Sequence, residues 1–330
     1  MPLATLIPNV ISYSASISAC EKGAMWQAAL ALFHQMPKAK IRPNLHAHNA
    51  TISSCEKGAQ WHLALKIFGL AIATVTPDVV TFSATISACE KGHQWKVSLQ
   101  LLATLSEFKV VANAYTYSAA ISSCEKASQW QRAGHLLLAM ALHEAPDLHC
   151  HNAMLSSYEK TSQWLRALET LLAFPSARIA ADVYSYSAVI SACEKGAQWD
   201  FALHFLHSMS LVTVIPNVIS YSASISACEK GAMWQAALAL FHQMPKTKIH
   251  PNLHAHNATI SSCEKATQWQ QALAIFHSAK VSPDVVTFSA MMSACEKGTQ
   301  WQSALSLLQE WRRKTKPGLT AISCKDILTS

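Results

Sequence analysis

Residues 9–33 read NVISYSASISACEKGAMWQAALALF, and this stretch decides the fold. Tyr13, Ile17 and Cys20 recur at i, i+4 and i+7, which puts them on one face of a first helix. Trp26, Leu30 and Phe33 repeat that spacing and predict the buried stripe of a second helix. Between the stripes stands Gly23, a residue suited to the end of a helix. No alternating pattern of the strand type interrupts either stripe. The stretch therefore predicts a helical hairpin.

Moving outward, the tripeptide Cys-Glu-Lys returns at Cys20, Cys55, Cys89, Cys124, Cys193, Cys228, Cys263 and Cys295, with Tyr158-Glu159-Lys160 filling the gap. The spacings are 35, 34, 35, 34, 35, 35, 35 and 32 residues. Six positions after each Cys or Tyr stands Trp26, Trp61, Trp95, Trp130, Trp164, Trp199, Trp234, Trp269 or Trp301. Before most units comes Pro followed by Asn or Asp, as at Pro43-Asn44, Pro77-Asp78, Pro146-Asp147, Pro216-Asn217, Pro251-Asn252 and Pro283-Asp284. Pro ends one helix, and Asn or Asp caps the next. A lone hairpin cannot hide both apolar stripes, so neighbours must stack into one continuous core.

The boundaries expected are a lead-in at 1–9 and nine units at 10–44, 45–78, 79–113, 114–147, 148–182, 183–217, 218–252, 253–284 and 285–318. Residues 319–330 read as a partial tenth unit or a C-terminal cap. The eighth unit is short by about three residues in its second helix or following loop. Residues 8–57 match 216–265 except at Ala39/Thr247 and Arg42/His250, which marks a segmental duplication at an offset of 208 residues, or six units. Any preference shared by the two copies is inherited rather than separately selected.

With 330 residues the chain buries a sizeable core without disulfides or metal. Its 51% hydrophobic and 14% charged composition suits helices buried on several sides. The +7 net charge mildly favours an anionic partner. Because eight of the ten Cys share one repeat position, they read as core residues and not as a disulfide framework. No apolar run is long enough to span a bilayer, and Met1 to Ile7 is too short for a targeting segment.

The run Val79-Val80-Thr81-Phe82-Ser83-Ala84-Thr85-Ile86, preceded by Pro77-Asp78 and joined to a second helix of the type Ala29-Leu30-Ala31-Leu32-Phe33, resembles the pentatricopeptide repeat. The resemblance extends from residue 8 to about 318. It implies an all-α fold, a right-handed α-solenoid superhelix of helix-turn-helix repeats whose first helices hold single-stranded RNA at one base per unit. The tetratricopeptide repeat has a similar period, but it places Trp, Leu-Gly and Tyr in the first helix, whereas here Trp opens the second. Two departures from the family stand out: Trp where Leu is usual in the second helix, and Ser where Asn or Thr is commoner at the base-reading position.

The resemblance also implies that one first-helix residue and the last residue of the unit together read a base. The pairs are Ser14 with Asn44, Asn49 with Asp78, Ser83 with Asn113, Ser118 with Asp147, Asn152 with Asp182, Ser187 with Asn217, Ser222 with Asn252, Asn257 with Asp284, and Ser289 with Gly318. Short hydroxyl and amide side chains reach a base edge, while the terminal Asn or Asp selects donor or acceptor. Asn with Asp implies U, Ser with Asn implies A, and Ser with Asp implies G, so the implied target is 5′-AUAGUAAU-3′. Three positions earlier stand Ile11, His46, Val80, Tyr115, His149, Tyr184, Ile219, His254 and Val286, which the family uses to wedge bases. Packing between units is their alternative role. Lys22, Lys57, Lys91, Lys126, Lys160, Lys195, Lys230, Lys265 and Lys297 form a row that either tracks phosphates or only closes the first helices as solvated residues.

Catalytic motifs are missing from the sequence. His46 and His48, His254 and His256, and His149 and His151 are two apart, so on a helix they point about 200° from each other and cannot share a metal ion. There is no Cys-x-x-Cys pair, Gly-rich phosphate loop or nucleophile elbow. The expectation is a non-enzymatic RNA-binding protein without metal, cofactor, small-molecule substrate or membrane contact. It would act in RNA processing, stability or translation, alone or with processing proteins, in chloroplast or mitochondrion by resemblance only. The other readings are a tetratricopeptide-like protein scaffold and a degenerate product of repeat duplication with no selected target.

Overall fold

The computed structural model describes residues 8–143, 145–278 and 283–315. The remainder, including most of the expected lead-in, Gly318 and the expected partial tenth unit, lies outside the described residues. The chain divides into two compact units, residues 1–161 and 162–330.

The first holds α1 (Val10–Lys22), α2 (Trp26–Lys38), α3 (Leu45–Lys57), α4 (Trp61–Thr74), α5 (Val79–Lys91), α6 (Trp95–Thr104), α7 (Ala114–Lys126), α8 (Trp130–Ala141) and α9 (Leu148–Lys160). The second holds α10 (Trp164–Ala173), α11 (Val183–Lys195), α12 (Trp199–Leu211), α13 (Val218–Lys230), α14 (Trp234–Lys246), α15 (Leu253–Lys265), α16 (Trp269–Ser278), α17 (Val285–Lys297) and α18 (Trp301–Thr315). Among the described residues there is no strand. The fold is the all-α repeat architecture that the two apolar stripes imply.

Within the first unit α1, α3, α5, α7 and α9 pack in succession, and each intervening helix wedges against the odd-numbered helices before and after it. The second unit repeats this with α11, α13, α15 and α17. The odd-numbered helices thus form the spine, and their inner residues are buried on several sides. Ile17, Ile52, Ile86 and Ile121 are fully buried in the first unit, as are Ile190, Ile225 and Ile260 in the second.

The repeated Cys residues lie in this core as expected, with Cys55, Cys89, Cys124, Cys193, Cys228, Cys263 and Cys295 buried. Burial disfavours the thiolate, pushing Cys55 up to about 11 and Cys89 up to about 12.

The second-helix stripe is shifted from the one read in the sequence. In α2 the buried residues are Ala29, Phe33 and Met36, while Trp26 and Leu30 are half-buried. Trp26, Trp61, Trp164, Trp199 and Trp269 instead lie at the seam with the next hairpin. A Cβ placed on Gly58 would sit 2.4 Å from Cδ1 of Trp26, and one on Gly92 would sit 2.2 Å from Cδ1 of Trp61. That close approach explains the glycine. Gly58 and Gly92 have ordinary negative φ, and the left-handed residue ending each first helix is the one after, such as Ala59 at φ 54° or His93 at φ 56°. Gly23 ends α1 as read and meets no Trp; at Gly58 and Gly92 the same repeat position is in addition a docking notch for the Trp of the preceding hairpin.

The opposite ends of the first helices match the sequence reading. Asn9, Asn44, Asp78, Asn113 and Asp147 cap α1, α3, α5, α7 and α9, and Asp182, Asn217, Asn252 and Asp284 cap α11, α13, α15 and α17. In every case the side chain accepts a hydrogen bond from the backbone N–H of the third helical residue.

Candidate nucleic-acid interface

Stacking successive first helices in register brings the fifth residue of one helix beside the N-cap of the next. Four of the sequence-derived pairs meet directly. Ser14 Oγ lies 3.1 Å from Asn44 Oδ1, and Ser222 Oγ 3.0 Å from Asn252 Oδ1. Asn49 Nδ2 donates to Asp78 Oδ1 at 3.1 Å, and Asn257 Nδ2 to Asp284 Oδ1 at 3.3 Å.

Others meet through an intermediary. Ser83 lies 2.7 Å from Thr116 Oγ1, which donates to Asn113 Oδ1 at 2.7 Å. Ser187 reaches Ser220 at 3.0 Å, and Ser220 donates to Asn217 Oδ1 at 2.9 Å. Asp147 accepts from the Cys150 backbone N–H at 2.9 Å, and the Cys150 thiol donates to Met140 Sδ at 3.7 Å. Asn152 belongs to the first compact unit and Asp182 to the second. Ser289 is exposed, and its sequence-derived partner Gly318 lies outside the described residues.

The cap therefore consumes Oδ1 of each terminal residue, which leaves a second carboxylate oxygen on Asp and an amide nitrogen on Asn with no part in the cap. That is the chemical difference between an acceptor and a donor. Burial opposes ionisation at Asp78, but hydrogen bonds from the Thr81 backbone, the Thr81 hydroxyl and Asn49 outweigh it, so its carboxyl sits below the usual range. At Asp284 the Thr287 backbone N–H is the main cause of a shift in the same direction. Asp147 is also lowered, since the Cys150 bonds and the nearby His149 and His151 overcome the opposing effect of burial.

Beside these pairs runs the row of expected base-wedging residues. Ile11 is 71% exposed, Tyr115 53% and Val286 59%, and His46, Val80, His149, Tyr184, Ile219 and His254 are exposed as well. Packing between units is thus a minor part of their role. Two pockets lie between consecutive members in the first compact unit. One, of about 200 Å³, is bounded by Val80 and Tyr115 and contains Ser83, Asn113 and Glu56. The next, of about 380 Å³, is bounded by Tyr115 and His149 and contains Ser118, Asp147 and Glu90.

The lysine row has partners that its sequence position did not reveal. Lys57, Lys91 and Lys126 pair with Glu21, Glu56 and Glu90 at 3.2, 3.0 and 2.9 Å, and Lys160 pairs with Glu125. In the second unit Lys230, Lys265 and Lys297 pair with Glu194, Glu229 and Glu264, each at 2.9 Å. Every one of these glutamates comes from the preceding hairpin. The same glutamates accept from Ser87, Ser122, Ser156, Ser261 and Ser293. Lys57 and Lys230 also donate to the Glu21 and Glu194 carbonyls at 3.1 Å, so they meet the C-terminus of the preceding helix rather than their own. The sequence reading singled out neither the serine four positions before each lysine nor its glutamate partner one period away.

Of the paired His residues, His48 and His256 serve packing. His48 is buried, its ring edge-on to Phe33 at 5.0 Å, and burial lowers its pKa despite the Asn44 carbonyl contact. Among the described residues there is no group of three or more potential metal ligands.

The geometry defines a class: a modular helical repeat protein with one polar pair and one exposed wedge per hairpin. The pentatricopeptide repeat domain model matches residues 4–57, 176–231 and 239–297, and the related repeat model matches 286–315. These stretches take in more than half of the sequence, and the chain belongs to the pentatricopeptide repeat family. None of the curated proteins matches it. Among solved structures, it is similar to a Cys-to-Ser form of the pentatricopeptide repeat protein PPR10 in complex with an 18-nucleotide psaJ RNA element, with a TM-score of 0.72 and 15% identity over 94% of this chain and 46% of that one. A second PPR10 complex with the same element gives a TM-score of 0.51 at 15% identity, over 95% of this chain and 57% of that one. The chain thus spans about half the length of the solved proteins it matches.

Proposed function

We propose that this protein binds single-stranded RNA with base selectivity, one base per hairpin, and acts by binding rather than by chemistry. The observation that carries the reading is a set of two consecutive pockets, each bounded by two exposed wedge residues and lined by one of the reading pairs. An exposed Tyr, His, Ile or Val at one repeat position has no packing rationale, whereas a base slid between two of them buries its faces and presents its edge to the pair. The nine pairs from Ser14 with Asn44 to Ser289 with Gly318 would read 5′-AUAGUAAU-3′ followed by an unspecified base. PPR10, with the same fold, was crystallised on an RNA element.

Phosphate contact by the lysine row belongs to the same proposal, in a modified form. Exposed ion pairs are worth about 0–1 kcal/mol, so an ammonium can turn from its glutamate to a phosphate at little cost. The glutamate keeps its serine. Following the family, we place the protein in organellar RNA processing, stability or translation. No helix among the described residues is long and apolar enough to cross a membrane.

Selection from a random RNA pool with the purified chain tests the reading. Enrichment of AUAGUAAU or a close variant is expected. Enrichment without any common sequence would reduce the function to general single-strand binding, and failure to retain RNA would leave a protein scaffold as the better account.

A further inference from the structure

Resting on that reading, we propose that each base site has a third member: the third residue of the following hairpin's first helix, which positions the reading pair. Thr81, Thr116, Ser220 and Thr287 occupy this place, and each sits between the two residues of the preceding unit's pair. Ala47 and Ala255 occupy it after the first and seventh units.

Counting protons shows what the hydroxyl does. Asp78 only accepts, so the Asn49 group facing it must be the amide nitrogen, and the Asn49 carbonyl then faces Thr81. Thr81 Oγ1 lies 2.7 Å from that carbonyl and 2.8 Å from Asp78 Oδ1. Asp78 Oδ1 already receives the Thr81 backbone N–H and the Asn49 amide, so the one hydroxyl proton is shared between Asp78 and the Asn49 carbonyl, which has no other donor in the pair. Thr287 does the same for Asn257, at 2.6 Å from its carbonyl and 2.7 Å from Asp284. The amide is held by both ends, which fixes the donor and acceptor it offers to a base.

The Ser-Asn pairs split into two kinds on the same principle. Where the third residue is alanine, Ser14 must share its one proton between the Val10 carbonyl at 2.8 Å and Asn44 at 3.1 Å. Ser222 is placed identically between Val218 and Asn252. Where it is threonine, Thr116 supplies the proton to Asn113, and Ser83 contacts only Thr116 and the Val79 carbonyl. Pairs identical in sequence are therefore wired differently, and the residue that decides lies in the next unit.

The test is competitive binding of RNAs that differ only at the second base, U against C, to wild type, Thr81→Val and Thr81→Ser. Valine keeps the shape and the backbone N–H cap but not the hydroxyl. The expected result is a roughly two- to tenfold loss of U-over-C preference with valine, the worth of one hydrogen bond, restored by serine. Thr287→Val read at the eighth base provides the same test in the second compact unit. Unchanged preference in both valine variants, or equal weakening toward both RNAs, would reduce this residue to a helix cap and overturn the proposal. If wild type itself does not distinguish the RNAs, the base-reading function falls and this inference with it.

Discussion

Replacing Gly92 by alanine probes the seam between hairpins. The added Cβ would lie 2.2 Å from Trp61 Cδ1, 2.4 Å from Cγ and 2.8 Å from Cβ. Carbon atoms prefer about 3.5–4.0 Å, so the indole must retreat by more than 1 Å. Its own Cβ is also too close, and rotating the ring is not enough; α4 must shift against α5. Overpacking of this kind costs about 1–3 kcal/mol. Gly92 has φ −85°, a conformation alanine adopts freely, and the less flexible unfolded chain returns about 0.4–1 kcal/mol. The net expectation is a destabilisation of about 1–2 kcal/mol in urea unfolding. In a Trp61→Leu background the clash is gone, and the same Gly92→Ala change should be neutral or mildly stabilising. The coupling from this double-mutant cycle isolates the contact. Ala127, Thr161 and Ala266 stand at the equivalent place in other hairpins, so the contact can be rebuilt by wider changes; the expectation concerns the single substitution. A neutral or stabilising Gly92→Ala in the native background would refute the docking-notch explanation.

Asp147→Asn should turn the fourth-base preference from G to A by about 1–3 kcal/mol without altering other positions, as measured with two RNAs differing at that base. Lys126→Ala should lower the salt slope of RNA binding by less than about 0.7, the single-strand value for one phosphate, since the ammonium is shared with Glu90. Ala59→Gly should raise the urea midpoint, because relieving a left-handed alanine at φ 54° is worth about 1–2 kcal/mol against an entropic cost of about 0.5–1 kcal/mol. The folded pKa values of Asp78, Asp147 and Asp284 are lowered, so their contribution to stability is complete above the unfolded carboxylate value of about 3.9 and is lost as pH falls through the folded values. Acid unfolding of Asp78→Asn should accordingly show a weaker pH dependence below about pH 4 than wild type.

Periodicity was enough to read the hairpins, because Tyr13, Ile17 and Cys20 can share a face in only one way and no strand pattern competes. The caps were legible too, since Asn44 or Asp78 after Pro has few other uses. The second-helix stripe was misread because Trp is large and apolar, and its bulk suggests burial in its own hairpin; Ala29, which is fully buried, looks inconspicuous. The constraint on Gly92 was not legible, because it comes from the Trp61 side chain one hairpin away. The lysine partners escaped for the same reason. Glu56 stands next to Lys57 in the sequence yet binds Lys91, and local spacing carries no information about a contact across a full period.

Each pair joins a residue of one hairpin to the cap of the next, so the cut that separates two folding units falls through the middle of a recognition letter. Exchanging whole hairpins between proteins of this build would transplant one intact helix pair and leave two hybrid letters, one at each splice. A crossover just after the third residue of a first helix would instead carry complete letters and restitch only the core beneath. The duplication in this chain, whose copies lie six units apart, took in residues 8 to 57 together with the caps Asn9 and Asn44. Its first letter was therefore inherited whole, while the word boundaries on either side were written by whatever sequence the copy landed beside.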